Sequence, residues 1–325
     1  MKKVGIIGLG EYLPKKVLTN ADLEKMVDTS DEWITTRTGI KERRLAAKNE
    51  ATSDLAINAA RVALAEAKLD PSKLELIIVA TITPDTPTPA VACLVQSALG
   101  AKSAACFDIS AACAGFVYAL ATAQQFIARG VYQNALVIGA ETLSAVTDWK
   151  DRNTCVLFGD GAGAAVLAQT NSGGILSTYL GSDGSKSDLL KIPGGGSRNP
   201  ASHETLDKRL HYLRMEGNEI FKLAVTIMAE AGKIALQKAG IELKDVDLVI
   251  PHQANIRIIL AMAKKIGLPQ DKIYLNIAKY GNMSSASTAT ALCEAVKEGR
   301  VKKGDIVLLD AFGAGLVWAA CVIKW

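Results

Sequence analysis

The feature that most constrains the fold is an internal repeat at half the length of the chain. Residues 63–78 and 235–250 each read as the end of a helix, a turn, a short acidic segment and a buried strand, and they lie 172 residues apart in a chain of 325. Two further pairs of segments keep the same order and nearly the same offset: 105–113 with 273–282, and 130–138 with 299–308.

Chance similarity between generic strand–helix units is the alternative to a duplication. Three pairs of similar segments in the same chain order favour a duplication, so we expect two similar α/β halves, 1–172 and 173–325. A pseudo-twofold relation between the halves would put Cys113 and Asn282 at related helix starts that face each other.

Strands and helices alternate along the chain. Apolar, β-branched runs predict strands at 4–9, 76–79, 135–138, 164–167, 248–250 and 306–309. Helical periodicity predicts helices at 53–68, 113–129, 218–239, 256–266 and 287–298. Continuous apolar strands are typical of largely parallel sheets covered on both faces, so the sequence predicts an α/β protein built of layers.

Composition excludes several classes of protein. The chain is 49% hydrophobic and 22% charged with a net charge of +4, which is typical of a soluble globular protein and not of a nucleic-acid-binding one. No apolar run is long enough to predict a membrane span, and the N-terminus does not resemble a signal peptide. Six cysteines without a CxxC pair, and three histidines without HExxH, argue against a metal site and favour a reducing cytoplasm.

Three polar residues lie where α/β proteins place active sites. Cys113 follows a predicted strand and begins a helix, where backbone N–H groups lower the pKa of a thiol. His252 follows the strand 248–250, and Asn282 lies in a loop that leads into a helix. From the local sequence alone, an inert core thiol is the more common interpretation of Cys113. His252 is as readily a satisfied core or capping residue, and Asn282 a plain N-cap. The other five cysteines are expected in the core.

Two glycine-rich segments and one long polar segment need separate interpretations. Residues 158–164 lack the GKS/T ending of a phosphate loop and lead into a strand, so we expect close backbone packing there. Residues 312–315 follow a strand and offer backbone N–H groups to a site. The segment 181–210 is polar and predicts an excursion over the surface.

A family resemblance connects these residues. The segments 30–39, 252–255, 281–284 and 312–315, together with Cys113 in its turn of small residues, resemble β-ketoacyl-acyl carrier protein synthase III, in the thiolase superfamily. The resemblance covers the whole chain. It implies a thiolase-like, five-layered αβαβα fold made of two duplicated halves, assembled as a homodimer in the cytoplasm.

The resemblance also implies an activity, the first condensation of type II fatty acid synthesis. A short acyl-CoA primer acylates Cys113, and malonyl-acyl carrier protein then loses carbon dioxide and attacks the acyl-enzyme. His252 and Asn282 would donate hydrogen bonds to the malonyl thioester oxygen, and the backbone N–H groups of Cys113 and Ala314 would form a second oxyanion hole. Family members commonly carry glycine where Ala314 stands. No metal or other cofactor is implied.

Further residues match the family's binding positions. The residues expected to bind coenzyme A and line the substrate channel are Trp33, Arg37, Arg152, Met215, Phe221, Asn255 and Phe312. Those expected to dock acyl carrier protein are Lys222, Arg257, Lys264 and Lys265, a set that without the family would read as a solvated charged face. No nucleic-acid or membrane partner is implied.

The sequence departs from the family at the primer pocket. Thr88 stands where many members have a bulky aromatic residue that closes the partner subunit's pocket, so longer or branched primers are expected alongside acetyl.

Two other activities compete with this interpretation. A chalcone-synthase-like ketosynthase shares the Cys-His-Asn set, although such enzymes are usually longer. An acyl-CoA thioesterase using Cys113 and His252 would replace malonate with water.

Overall fold

The computed structural model describes residues 2–325. The strands are β1 (Val4–Tyr12), β2 (Lys16–Thr19), β3 (Glu42–Leu45), β4 (Leu76–Ala80), β5 (Ala105–Ile109), β6 (Asn134–Thr142), β7 (Asp160–Gln169), β8 (Gly174–Ser182), β9 (Leu190–Lys191), β10 (Arg214–Met215), β11 (Leu248–Pro251), β12 (Ile306–Gly313) and β13 (Val317–Lys324). The helices are α1 (Asn20–Leu23), α2 (Asp31–Thr38), α3 (Thr52–Ala67), α4 (Val91–Leu99), α5 (Gly115–Ala128), α6 (Arg152–Cys155), α7 (His203–Asp207), α8 (Gly217–Ala239), α9 (Ile256–Ile266), α10 (Ile277–Tyr280) and α11 (Ser285–Lys297).

Two sheets of the same topology form the frame. The first has the strand order β1-β7-β6-β4-β5 and the second β8-β13-β12-β11. In the first sheet β7 runs antiparallel to both of its neighbours, β1 and β6, and β6 runs parallel to β4. In the second sheet β13 likewise runs antiparallel to β8 and β12, and β12 runs parallel to β11. A parallel bridge between Val249 and Ile273 stands where β5 stands in the first sheet. The equivalent orders explain the three pairs of similar segments, and the predicted boundary at 172/173 falls between β7 and β8.

Helices cover and separate the two sheets. Helices α3 and α4 pack on the outer face of the first sheet, and α8 and α9 on the outer face of the second. Between the sheets, α5 and α11 share one apolar cluster with strands from both halves. The five-layered α/β fold expected from the sequence is therefore confirmed.

Small residues let the central layer approach the sheets closely. A Cβ atom built on Gly163 would lie 2.5 Å from the Cβ of Ala289, and one on Gly139 would lie 2.6 Å from the carbonyl oxygen of Ser285. A side chain at either position would collide with α11. The glycine-rich segment 158–164 thus packs backbone against backbone, as predicted.

Several local expectations need correction. Cys93 and Cys106 are only half-buried, because α4 and the edge strand β5 lie at the side of the first sheet; the other cysteines are buried. The helix expected from Cys113 begins at Gly115, after a 3₁₀ turn at Ala112–Ala114. Strands β8 and β13 lie outside the apolar runs that predicted strands. Within residues 2–325, no helix combines the length and apolar character needed to cross a membrane.

Candidate active site

Cys113 lies in a tight turn at the start of α5. The preceding residue, Ala112, has a φ of 42°, a left-handed conformation that is unusual for a residue with a Cβ. The end of β12 closes on this turn, since a Cβ atom built on Gly313 would lie 2.6 Å from the Cys113 nitrogen. Any side chain at Gly313 would displace the cysteine, so this position needs a glycine.

The ionisation of Cys113 differs from the expectation based on its helix start. Burial raises the pKa of this thiol to about 12, and the Ser284 hydroxyl acts in the opposite direction with a smaller effect. The predicted lowering is therefore wrong, because the loss of hydration outweighs the favourable helix terminus. Cys113 is a neutral thiol at neutral pH.

His252 follows β11 and is fully buried. Its backbone N–H donates to the carbonyl of Asp310 on β12, which fixes the chain at the end of the strand. Within residues 2–325 neither ring nitrogen has a hydrogen-bond partner. Burial lowers the pKa of His252 to about 3, so the ring is neutral and carries one N–H donor that nothing in the described chain uses.

Asn282 has a fixed amide orientation. Its Oδ1 accepts a hydrogen bond of 2.8 Å from the backbone N–H of Ser284, so its Nδ2 is the side of the amide left for a ligand. The main chain of Asn282 donates to the carbonyl of Leu157 and accepts from the N–H of Gly159. These bonds, rather than a helix cap, account for its place in the loop before α11.

The carboxyl ends of neighbouring strands bring these residues to one place. Strands β11 and β12 are parallel with Pro251 opposite Asp310, so His252 and Gly313 both lie at the carboxyl ends of these strands. Gly313, at the end of β12, packs against the backbone of Cys113. The Ser284 hydroxyl, two residues after Asn282, lies near the Cys113 thiol.

The structure groups the three residues expected to hold coenzyme A. The guanidinium carbons of Arg37 and Arg152 lie 4.7 Å and 5.0 Å from the centre of the Trp33 ring. Arg152 also donates to the carbonyl of Asp28. Trp33 is half-buried and both arginines are exposed, which suits an aromatic face with nearby cations for phosphate.

The residues expected to line the channel lie around α8 and α9. Met215, Phe221 and Phe312 belong to one apolar cluster. Asn255 caps α9, since its Oδ1 accepts from the backbone N–H of Arg257 at 2.9 Å. The end of α2 packs on the start of α9, because a Cβ built on Gly39 would lie 2.7 Å from Ile256.

The basic residues expected to dock acyl carrier protein differ in whether an acidic side chain already pairs with them. Arg257, Lys264 and Lys265 are exposed on α9, and within residues 2–325 they form no ion pair. Lys222, on α8, is already paired with Glu219 at 2.9 Å, which reduces its availability to a partner. Lys264 and Lys265 also lie in the last turn of α9, where cations stabilise the helix dipole.

Thr88 lies outside this site within the single chain. It is exposed in the loop between β4 and α4. Hydrogen bonds from the N–H groups of Val91 and Ala92 to the carboxyl of Asp108 anchor the end of that loop to β5.

Sequence reasoning missed residues that support the site from behind. The Gln253 amide is fully buried, donates to the carbonyl of Pro251 and accepts from the N–H of Asn276, which ties the His252 loop to the segment before Asn282. Glu141 and Ser284 also lie near Cys113. Gln253 directly follows His252 in the chain and was a detectable signal, whereas Glu141 sits inside an apolar run and gave none.

Comparisons with known proteins agree with this geometry. Residues 107–184 match the family described as 3-oxoacyl-[acyl-carrier-protein] synthase III, and residues 236–325 match the family of its C-terminal part. The beta-ketoacyl-[acyl-carrier-protein] synthase III of Caldanaerobacter subterraneus is 61% identical over 99% of this chain and 97% of its own length. The enzyme of that name from Clostridioides difficile is 57% identical over 99% of this chain and 98% of its own length.

A solved structure extends the similarity to the fold. The crystal structure of 3-oxoacyl-[acyl-carrier-protein] synthase III from Aquifex aeolicus has a TM-score of 0.93 and 53% identity, and the match covers 99% of this chain and all of that one.

The neutral state of His252 predicts a pH dependence of stability. The imidazole titrates near 6.5 when unfolded and at about 3 when folded, so the unfolded chain binds more protons between these values and stability falls as the pH drops through that window. Between pH 7 and pH 5, the free energy of unfolding should fall by about 2 kcal/mol less in His252→Asn than in the wild type. Urea unfolding measures this, and His203→Asn, at an exposed site, is the control. Identical pH dependence in wild type and His252→Asn would contradict the buried neutral ring.

Proposed function

The chain belongs to the β-ketoacyl-acyl carrier protein synthase III family, and we propose that Cys113, His252 and Asn282 divide this family's reaction between them. These enzymes are acyltransferases that carry out the initiating condensation of fatty acid synthesis. The relatives' names favour this activity over a chalcone-synthase-like or thioesterase activity.

Cys113 is the residue that carries the primer. A thiol is both a good nucleophile and a good leaving group, so one cysteine accepts the acyl group from acyl-CoA and releases it to the carbanion. The start of α5 and the Ser284 hydroxyl stabilise the thiolate when it forms. Gly313 packs against the Cys113 backbone and is bonded to Ala314, which supports a role for the N–H groups of Cys113 and Ala314 as the oxyanion hole of the acyl transfer.

His252 and Asn282 serve the decarboxylation of the malonyl group. Loss of carbon dioxide places negative charge on the thioester oxygen and requires no proton to be removed by a base. A neutral imidazole N–H and the Asn282 Nδ2 are donors suited to that charge. The buried, neutral and unpartnered ring of His252 carries this proposal, because a general base would need a pKa near neutrality.

Replacement of the nucleophile tests the assignment directly. Cys113→Ala should bind no acyl group and form no 3-ketoacyl product, because no other thiol lies at the helix start. Mass spectrometry after treatment with acetyl-CoA, followed by a condensation assay with malonyl-acyl carrier protein, measures both steps. The control is Cys321→Ala, which removes a buried thiol from β13 and should keep the adduct. An acyl adduct on Cys113→Ala would refute the assignment.

Coenzyme A enters beside α2. Trp33 provides a stacking face and Arg37 and Arg152 lie over it, which supports binding of the adenine and phosphates. The pantetheine arm then runs between α8 and α9, past the channel residues Met215, Phe221, Asn255 and Phe312. The thioester is a substrate, and we propose that the reaction uses no metal or other cofactor.

Acyl carrier protein docks on the exposed cations of α9. Arg257 lies 5.6 Å from the Phe221 ring, near the channel residues, and Lys264 and Lys265 continue the positive surface along the helix. An acidic partner would be steered to this surface with its arm toward the channel. Lys222 contributes less, because Glu219 already pairs with it.

Charge reversal on α9 separates docking from chemistry. Arg257→Glu with Lys264→Glu should raise the KM for malonyl-acyl carrier protein about tenfold or more at low salt, and less at high salt. Acylation of Cys113 by acetyl-CoA in a single turnover should change little. Lys302→Glu with Lys303→Glu makes the same charge change on another exposed turn and should leave both rates intact. Equal losses in both steps for the α9 variant would contradict the docking surface.

The edge strand β5 favours a homodimer. Among residues 2–325 it pairs with β4 alone, and its other edge exposes backbone groups together with Phe107 and Ile109, which are half-buried. A second copy of β5 would satisfy these groups. The exposed Thr88 loop is anchored to β5 through Asp108, so it would move with that interface toward the partner's primer pocket.

The choice of primer tests both the dimer and the proposed effect of Thr88 on the partner's primer pocket. Thr88→Phe should reduce kcat/KM for branched five-carbon primers about tenfold or more and leave acetyl-CoA little changed, because the aromatic ring shortens the pocket. Thr86→Phe, in the same exposed loop, is the matched control. Analytical ultracentrifugation should give twice the mass of the chain. A monomer, or an equal loss for both primers, would contradict this arrangement.

The thiols support a cytoplasmic location. All six cysteines are free, and Cys113 must remain reduced to react. We propose that the protein works in the reducing cytoplasm.

A further inference from the structure

Glu141 is a fully buried carboxyl group behind the nucleophile. It lies near the end of β6 with none of its surface exposed, and it is an electrostatic neighbour of the Cys113 thiol. Cys113 is the titratable group that faces it, and the Ser284 hydroxyl also lies near the carboxyl but makes no hydrogen bond within residues 2–325. The groups that approach its two oxygens differ in kind, and that difference determines where a proton sits.

One oxygen of Glu141 only accepts hydrogen bonds. Its Oε2 receives the N–H of Ile82 at 3.1 Å, the Thr83 hydroxyl at 2.7 Å and the Thr81 hydroxyl at 3.2 Å. Both hydroxyls have their protons free for this, because Thr81 Oγ1 accepts from the N–H of Thr83 and Thr83 Oγ1 accepts from the N–H of Thr142. Three donors on one oxygen are compatible with either ionisation state, so the place of a proton depends on the groups around the other oxygen.

The other oxygen, Oε1, lies close to a hydroxyl group that also faces a second hydrogen-bond acceptor. Ser285 Oγ lies 2.9 Å from Glu141 Oε1 and 2.8 Å from the carbonyl oxygen of Ala80. A peptide carbonyl only accepts, and a hydroxyl has a single proton. If Glu141 were ionised, Ser285 would serve one of two acceptors and leave the other short contact without a hydrogen. If Glu141 carries a proton on Oε1, that proton goes to Ser285 Oγ, the Ser285 proton goes to Ala80, and both contacts are satisfied.

We propose that Glu141 is a neutral carboxylic acid at physiological pH, which donates through Oε1 to Ser285 and positions the start of α11 behind Cys113. Burial raises the pKa of Glu141 and equally that of the other buried carboxyl, Asp160, so the hydrogen-bond pattern and not burial distinguishes the two. The acid is a positioning residue and not a catalytic one. Its protonation state does not depend on the proposed function, although its consequence for Cys113 does.

A second buried carboxyl shows the opposite pattern. Asp160 is also fully buried, but it accepts from the N–H groups of Ala46 and Ser144 and from the Ser144 hydroxyl, all of which are donors. Such a set satisfies an ionised carboxylate. Asp160 is therefore a matched internal control for the proton count at Glu141.

The neutral acid has two effects on the site. It joins the first half, through residues 81–83, to Ser285 in the second half without burying an uncompensated charge. It also keeps a full negative charge away from the thiol that must become a thiolate.

Infrared spectroscopy tests the protonation state without any assay of activity. The difference spectrum of wild type minus Glu141→Gln at pH 7 should contain a carboxylic acid C=O band above the amide I band. Asp310, another buried carboxyl, is present in both proteins and cancels. Wild type minus Asp160→Asn should show carboxylate bands instead. Absence of the acid band from the Glu141 difference overturns the proposal.

The donor assignment has its own variant. Ser285→Ala removes the acceptor of the acid proton, so the acid band should move to higher frequency. An unchanged band in Ser285→Ala would overturn the assignment of the proton to Oε1, and this comparison needs only wild type and the serine variant.

Alkylation of Cys113 tests the consequence for the nucleophile. In a background with Cys93→Ser and Cys106→Ser, which removes the two half-exposed thiols, the rate of reaction with iodoacetamide at pH 8 reports the thiolate fraction of Cys113. Glutamine mimics a neutral acid, so Glu141→Gln should react within about threefold of the background protein. If Glu141 were ionised, removing its charge would raise the rate about tenfold, and that result would overturn the proposal even if condensation were intact.

Discussion

The rest of the structure depends on the close approach of α11 to the first sheet. Gly139 and Gly163 have no side chains, so the backbone of α11 lies directly against β6 and β7. A larger residue at either position would push the central layer outward and separate the starts of α5 and α11. Those helix starts carry or adjoin Cys113 and Asn282, so the small residues of the sheet determine the geometry of the site.

The same close packing removes water from the site and sets its electrostatics. Burial raises the pKa of Cys113 and lowers that of His252, so both groups are neutral when no substrate is bound. A neutral donor is what decarboxylation needs, because charge develops on a thioester oxygen and no proton is abstracted. Exclusion of water also protects the acyl-enzyme from hydrolysis.

The sequence predicted the features that repeat along the chain or differ clearly from their neighbours, and it missed the features that depend on tertiary contacts. The duplication was visible because strands β4 and β11 carry similar apolar runs at one offset, and Cys113 was visible because small residues surround it. The direction of its pKa shift was wrong, since a helix start is local whereas burial comes from both halves. Glu141 was invisible because its partners lie about 60 and 144 residues away in the chain.

The site lies between the halves, so its precision depends on bonds that cross from one half to the other. The main chain of Asn282 bonds to Leu157 and Gly159 of the first half, and Gly313 of the second half touches Cys113 of the first. A hinge between the halves would separate the nucleophile from its donors, which lie in different halves. Duplication alone produces two similar helix starts. The division of labour that we propose, with a covalent carrier at one helix start and neutral donors beside the other, places acyl transfer and decarboxylation at a single buried interface.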